Sequence, residues 1–190
     1  MLYAPSSITR GDLEFRQFKR RDLDSLVTAV RTSLPELIKW LPWATDSYNR
    51  LEGMRFLRDS SAAWKDRRAY DYAVRSTKYP DEHLGNVSIW ATSKQYGVGE
   101  IGYWIRTDQV HKGIGTAATR AMVELGFGDL RMHRLTLRIA IGNRGSERIA
   151  EKLGFTKEGV LREVLTLNGK RVDHTLYSIL KHEYQNTEGP

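Results

Sequence analysis

The sequence predicts an α/β fold of the α+β kind, with one mixed, mostly antiparallel sheet of about seven strands flanked by helices on both faces. Three observations carry this. Hairpin-joined strands fill the middle of the chain, a strand–helix–strand crossover follows, and two more strands meet around Asn168-Gly169. Hairpins give antiparallel pairs, whereas a crossover through a helix brings the chain back parallel, so the sheet must be mixed and must carry helices. The 190 residues suit one domain, and no repeat, low-complexity segment or change of composition divides them. Residues 1–190 are therefore read as a single domain, with 183–190 as a frayed tail.

From the N-terminus, Asp12 to Phe18 alternates apolar and polar residues and reads as the first strand, with Leu13, Phe15 and Gln17 on one side. Leu23, Leu26, Val27 and Val30 then recur at helical spacing. LPELIKWLPWATDS, with prolines at 35 and 42, reads as an interrupted stretch. Ser47 is the expected cap of a second helix running to about Arg67. AYDYAVRS, HLGNVSIWATS and VGEIGYWIRT read as three strands joined by the turns YPDE and KQYG.

The next helix places Ile114, Ala118, Ala121, Met122 and Leu125 on one face. In HRLTLRIAI, Leu135, Leu137, Ile139 and Ile141 are expected to point inward and Arg134, Thr136 and Arg138 outward. A short helix follows, with Asn143 as its N-cap and Gly154 at its end. The last two strands flank Asn168-Gly169, a strong hairpin signal. The expected order is β-α-α-β-β-β-α-β-α-β-β.

Composition narrows the function. Lys and Arg number 30 against 23 Asp and Glu, so the net charge is +7 and favours anionic partners. The basic clusters, Lys19–Asp22, Lys65–Arg68 and Arg131–Arg134, are short and suit a solvated surface equally well. There is no cysteine, which excludes disulfides, thiolate metal sites and a cysteine nucleophile. The histidines at 83, 111, 133, 174 and 182 lack metal-ligand spacing, so no metal is expected. No apolar run nears the roughly 20 residues of a membrane helix, and the N-terminus lacks a signal-peptide pattern. A cytoplasmic location without membrane association is the expectation.

VHKGIGTAATRAMVELGF, residues 110–127, sets two glycines between a strand and a helix. A helix N-terminus offers unpaired N–H groups and a positive dipole end, and glycine lets an anion approach the backbone. Such a turn can cradle a pyrophosphate, and Lys112 could add a charge. Glycines at a strand-to-helix turn are equally often structural. A nucleotide P-loop needs Lys and a hydroxyl residue after its last glycine, and Thr116-Ala117 does not supply them. Ala118 could complete a dinucleotide fingerprint, but that motif belongs near the start of a parallel domain.

GEIGYWIRTDQVHKGIGTAATRAM, LTLRIAIGNRGSERIAEKLGFTKEG and DHTLYSIL together resemble the GNAT superfamily of N-acetyltransferases over nearly the whole chain. LPELIKWLPWATDS resembles the branch that acetylates ribosomal-protein N-termini. The resemblance implies a single GNAT-like domain that takes acetyl-CoA. Coenzyme A would lie on His111, Lys112, Gly113, Ile114, Gly115 and Thr116, with its arm along the backbone of Trp104, Ile105 and Arg106 and against Asn143. The family's Gln or Arg at the start of the turn is Val110 here, a departure that removes a side-chain donor at that corner. A tyrosine acid used by many members is replaced by Ala150. Ser146 is then the implied acid, or water acts instead, and Glu100 is the implied base. Trp40, Trp43 and Tyr103 could shape the acceptor pocket, with Glu163 a weaker candidate.

These residues also have plain structural readings: Asn143 as a helix cap, Ser146 as a first-turn residue, Glu100 as a strand-end carboxylate, the aromatics as core. The implied reaction is direct transfer of acetyl to an α-amine, plausibly a ribosomal-protein N-terminus, with ribosome association and a homodimer as possible partners. A small amine (an aminoacyl nucleotide, an antibiotic or a polyamine) is the alternative acceptor. A non-catalytic RNA-binding module on the same fold is the third reading.

Overall fold

The computed structural model describes residues 4–187. Among these residues, eight strands form one sheet: β1 (Ser7–Arg10), β2 (Leu13–Gln17), β3 (Ala69–Ser76), β4 (His83–Ser93), β5 (Val98–Ile105), β6 (Arg134–Ala140), β7 (Thr156–Leu167) and β8 (Lys170–Leu180). Five helices accompany them: α1 (Leu23–Leu37), α2 (Arg50–Lys65), α3 (Ile114–Phe127), α4 (Arg144–Lys152) and α5 (Lys181–Thr187). The strand order is β1-β2-β3-β4-β5-β6-β8-β7, and every neighbouring pair is antiparallel except β5–β6.

The mixed sheet and the order of its main elements agree with the sequence reading. The additional strand is β1, four mostly exposed residues at the sheet edge. Gly11, at φ 55, opens the two-residue turn that returns β1 onto β2. The prolines interrupt less than expected: α1 runs through Pro35 to Leu37. A proline removes one helical donor, and the bond from Ile38 N to Leu34 O at 3.0 Å still closes the last turn while buried Leu37 anchors it.

The cap of α2 is Asn49, not Ser47. Asn49 Oδ1 accepts from Leu51 N at 2.7 Å, and Glu52 Oε2 accepts from Asn49 N at 3.0 Å. Asn-x-x-Glu supplies this reciprocal pair, and Ser47-x-x-Arg50 cannot. Ile141 is 53% exposed rather than inward, because β6 ends at Ala140. Thr136, placed outward by the alternation, is buried and donates from Oγ1 to Gly99 O. Residues 183–187 of the tail expected to fray belong to α5, and 188–190 lie outside the described residues. The Asn168-Gly169 turn has φ of 50° and 75°, as a type I′ hairpin requires.

Two apolar cores lie on opposite faces of the sheet. The larger joins Phe15, Tyr72, Val74, Val87, Ile89 and Ile101 to α3 through Ile114, Ala118, Ala121, Met122 and Leu125. The smaller sets α1 and α2 against the other face through Leu26, Ala29, Val30, Leu37, Tyr48 and Trp104. Alternation along β5 therefore sends Ile101 to the first core and Trp104 to the second.

Candidate functional site

The sheet opens at its one parallel junction. β5 and β6 pair only over Val98–Arg134, Gly99–Leu135 and Glu100–Thr136. Beyond Glu100, β5 stays paired with β4 as far as Ile105, and β6 stays paired with β8 as far as Ala140. A seam thus widens between the C-terminal ends of the two strands. Such a gap, at the carboxyl ends of strands joined by a crossover helix, is where α/β sheets admit ligands.

The backbone facing the seam follows from strand alternation. Arg106 N donates to Leu84 O at 2.8 Å, so Arg106, and Trp104 two residues before it, direct their backbone groups toward β4. Gly97 O, which accepts from His133 N, and Gly99 O, which accepts from Thr136 Oγ1, face β6. Ile101, Tyr103 and Ile105 share that direction, and their backbone groups open into the seam beyond the last β6 partner. Of the expected run Trp104, Ile105 and Arg106, only Ile105 presents its backbone there. The Arg106 guanidinium is committed to Asp108 at 2.6 Å and Glu82 at 2.8 Å.

Above the seam lies the glycine turn. Gly113 is the N-cap of α3 with φ 78°, in the left-handed region, and a Cβ there would meet nothing within 4 Å. Backbone conformation, not crowding, demands this glycine. At Gly115 an added Cβ would lie 3.0 Å from Ile149 Cδ1 on α4, the flexible end of that side chain, and 3.6 Å from Tyr103 Cε2. No side chain caps α3, so its first N–H groups have no side-chain acceptor. His111, at φ 62°, and Lys112 are exposed, and Lys112 Nζ donates to Gln109 Oε1 at 2.8 Å. Ile114 is buried in the core, and Thr116 is half-buried on the first turn. Val110 is 42% exposed, an apolar side chain in water.

On the far side of the seam, α4 begins with Asn143, whose Oδ1 accepts from Ser146 N at 3.2 Å. The capping role read from the sequence is present. Across the seam, Tyr103 Oη is buried and lacks a hydrogen-bond partner of good geometry. Burial pushes its pKa up to about 12, and nearby Ser146 offsets part of the rise. Ala150, one turn beyond Ser146, is fully buried.

Glu100 occupies the last rung before the strands part. It is buried, and its carboxylate accepts from Arg138 Nε at 2.7 Å. Burial raises its pKa and the Arg138 contact opposes that rise. By alternation Glu100 shares a face with Gly102 and Trp104, opposite to α3.

That second face holds a cavity of about 500 Å³ between β4–β5 and α1–α2. Its walls include Trp43, Tyr48, Phe56, Trp90, Tyr103 and Trp104, with Asn86, Ser88, Glu52 and Arg55 as polar groups. Two of the expected pocket aromatics, Trp43 and Tyr103, line it. Trp40 does not: its indole donates to Glu36 Oε1 at 2.9 Å on α1's own face. Glu163 lies in a β7 bulge, at φ 51°, and borders a separate open hollow with Asp173. The hairpin tip reaches back to the connection after α1, where Asn168 Nδ2 donates to Ile38 O at 3.2 Å.

The sequence reading missed Trp90, Trp104's side chain, Tyr48, Phe56 and Asn86 as cavity walls. One signal was legible: Trp90 lies beside Gly102 on the neighbouring strand, and a Cβ on Gly102 would come within 3.0 Å of the Trp90 ring. A glycine facing a tryptophan across two paired strands makes room for the ring. Among the described residues, no group of three or more His, Asp or Glu could hold a metal, and no helix is long and apolar enough to cross a membrane.

Comparison with known proteins gives the family and the fold. The family model for an acetyltransferase (GNAT) domain matches residues 12–156. "Putative ribosomal N-acetyltransferase YdaF" of Bacillus subtilis (strain 168) is 28% identical over 178 residues, covering 91% of this chain and 93% of that one. Among solved structures, the microcin C7 self-immunity acetyltransferase MccE in complex with acetyl-CoA and AMP superposes with a TM-score of 0.85 at 24% identity, covering 94% and 98% of the two chains. RimL, a ribosomal L7/L12 alpha-N-protein acetyltransferase in complex with coenzyme A, gives 0.82 at 21% identity, covering 92% and 97%.

Proposed function

Because the chain belongs to the GNAT acetyltransferase family, we propose that it transfers acetyl from acetyl-CoA directly to an α-amine. The N-terminus of a ribosomal protein is the acceptor its relatives suggest. The observation that carries the reading is the parting of β5 from β6 after Glu100, beneath an uncapped glycine turn. The two named structures hold coenzyme A or acetyl-CoA. This chain suits such a ligand: open space at Gly113, no side-chain cap on α3, and an unpaired strand edge below.

When bound, acetyl-CoA supplies an activated acetyl thioester. The remaining tasks fall to the chain. His111, Lys112, Gly113, Ile114, Gly115 and Thr116 hold the pyrophosphate, chiefly through backbone N–H groups at the positive end of α3. Val110 contributes no side-chain donor. The Tyr103 and Ile105 backbone groups hold the pantetheine arm and its acetyl carbonyl, the arrangement that stabilises developing negative charge on oxygen. Asn143 lines the same seam while capping α4.

Glu100 takes the proton that the amine must lose, through water. An α-amino group has a pKa of about 8, so a weak base suffices near neutrality. Ser146 gives its proton to the departing sulfur, with Tyr103, fully protonated at that pH, beside it.

The aromatic lining of the cavity favours a second reading, in which the acceptor is a small amine rather than a protein tail. Under the first reading the basic surface suits an acidic protein or the ribosome in the cytoplasm, and a homodimer is tested by sedimentation. The deciding experiment measures thiol release from acetyl-CoA with ribosomal-protein N-terminal peptides, aminoacyl nucleotide analogues and polyamines, with Ser146→Ala as control. Release with an α-amine supports the reading. Release with none of these, despite coenzyme binding, refutes the acceptor class, and absence of coenzyme binding refutes the use of the glycine turn.

A further inference from the structure

We propose that the acceptor α-amine carries a large apolar first side chain, best an aromatic ring, enclosed by Trp43, Trp90 and Trp104, with Asn86 binding its carbonyl oxygen. The inference rests on the acetyl-transfer reading above and narrows its acceptor.

Three observations meet here. The first is size and lining. The cavity of about 500 Å³ is walled by three tryptophans, Tyr48, Phe56 and Tyr103, closed beneath by Leu26 and Val30 of α1. Sites of roughly 300–1,000 Å³ accept drug-sized molecules, and aromatic walls reward planar apolar groups through both burial and ring contacts. A serine or alanine side chain would leave most of this space unfilled. The walls are also fixed in place: Trp43 meets Trp104 at 6.2 Å and Tyr48 at 6.0 Å between ring centroids, and Gly102 leaves room for Trp90.

The second observation is a donor held for a carbonyl. Asn86 lines the cavity, and its Oδ1 accepts from His83 Nε2 at 2.7 Å. His83 is 2% exposed, sandwiched between Phe18 and Trp104 at 5.8 Å from each ring, and its Nδ1 has no partner. With the proton on Nε2, the imidazole fixes which way the amide lies. The Asn86 Nδ2 donors are then left to the cavity. They suit the carbonyl that follows the α-carbon in an amino acid amide or peptide, and such a site discriminates against amines lacking that oxygen.

The third is the position of the polar wall groups. Among the described residues, only Glu52 and Arg55 bring charge to the cavity, both from α2. Glu52 is already held by the Asn49 backbone, and Arg55 lies 3.8 Å from it. No unpaired carboxylate lies deep in the cavity to hold a second ammonium, which disfavours a polyamine.

The test uses the full chain and amino acid amides of Trp, Phe, Leu, Ala and Ser. Thiol release with acetyl-CoA gives kcat/KM, and quenching of the cavity tryptophans gives binding without the coenzyme. The expectation is a preference of about ten-fold or more for Trp and Phe amides over Ala and Ser amides in both readouts. Trp43→Ala, at a residue 43% exposed and so tolerant of truncation, should abolish that preference by lowering kcat/KM and binding for the Trp and Phe amides. Asn86→Ala should raise KM for every amide toward that of a primary amine without the carbonyl, which is a poor acceptor for the unaltered protein. Equal rates on Ala, Ser and Phe amides would overturn the inference and leave the acetyl-transfer reading standing. Absence of thiol release with any amine would instead overturn that reading, and the fluorescence titration would still decide the pocket: tighter binding of the aromatic amides upholds it, equal binding overturns it.

Discussion

His83 gives a stability prediction whose size follows from its surroundings. The imidazole is 2% exposed between two aromatic rings, and its pKa is pushed down from 6.5 to about 3, first by burial and then by the nearby Arg75 guanidinium. Arg75 is itself buried, donating to Asp22 at 3.1 Å, to Ser25 at 2.9 Å and to the Asp81 carbonyl at 2.8 Å. In the folded chain His83 stays neutral, whereas in the unfolded chain it takes a proton below its ordinary pKa. The unfolded state therefore binds more protons, and stability falls as pH drops from 6.5 toward 3. One proton is worth about 1.4 kcal/mol per pH unit, so about 2 kcal/mol should be lost between pH 7 and pH 5.

His174, also held below its ordinary value by burial, adds loss of the same sign. The carboxylates of Asp22 and Glu158, both lowered, matter only under more acid conditions. Urea unfolding of the protein and of His83→Gln at pH 7, 6 and 5 isolates the contribution. The glutamine amide can still donate to Asn86 but cannot titrate. Its stability should depend on pH less steeply, by about 2 kcal/mol over that range. Parallel curves would refute the argument that His83 is buried neutral.

Further outcomes follow from the same geometry. Gly113→Val should cost about 1–2 kcal/mol, because φ 78° opposes a Cβ, and should weaken coenzyme A binding in calorimetry while the fold persists. Ser146→Ala should lower kcat about 10²-fold at nearly unchanged KM. Tyr103→Phe should lower kcat too, with a double variant no worse than the weaker single one if the two hydroxyls act together. Asn49→Ala should cost about 1 kcal/mol in chemical denaturation without altering kinetics, since it removes only the cap of α2. Transfer rate should rise with pH toward the acceptor's pKa of about 8 and level off above it.

Much of the scaffold was legible because its signals are local. Alternation located β2 and β6, the turns YPDE and KQYG separated β3, β4 and β5, and Asn168-Gly169 located the final hairpin. The glycine turn stood out as a strand-to-helix junction, and Asn143 as a cap. β1 escaped notice because four residues at an exposed edge carry little apolar pattern. Ser47 is the type of residue that caps a helix before a periodic run, but the cap is Asn49, whose reciprocal partner Glu52 lies three residues on. Trp40 and Trp43 looked alike in sequence, yet one bonds back along α1 and the other reaches the cavity.

The sequence by itself determined the mixed sheet, the crossover and the glycine at the mouth of α3, since each depends on residues close along the chain. Only the tertiary structure decided where β5 leaves β6, because that depends on which strand edges remain unpaired. It also decided that Tyr103 lies near Ser146, that Gly115 lies against Ile149, and that aromatics from the α1–α2 connection, α2, β4 and β5 line one cavity. Those residues lie up to tens of positions apart, and no periodicity records which of them will share a wall.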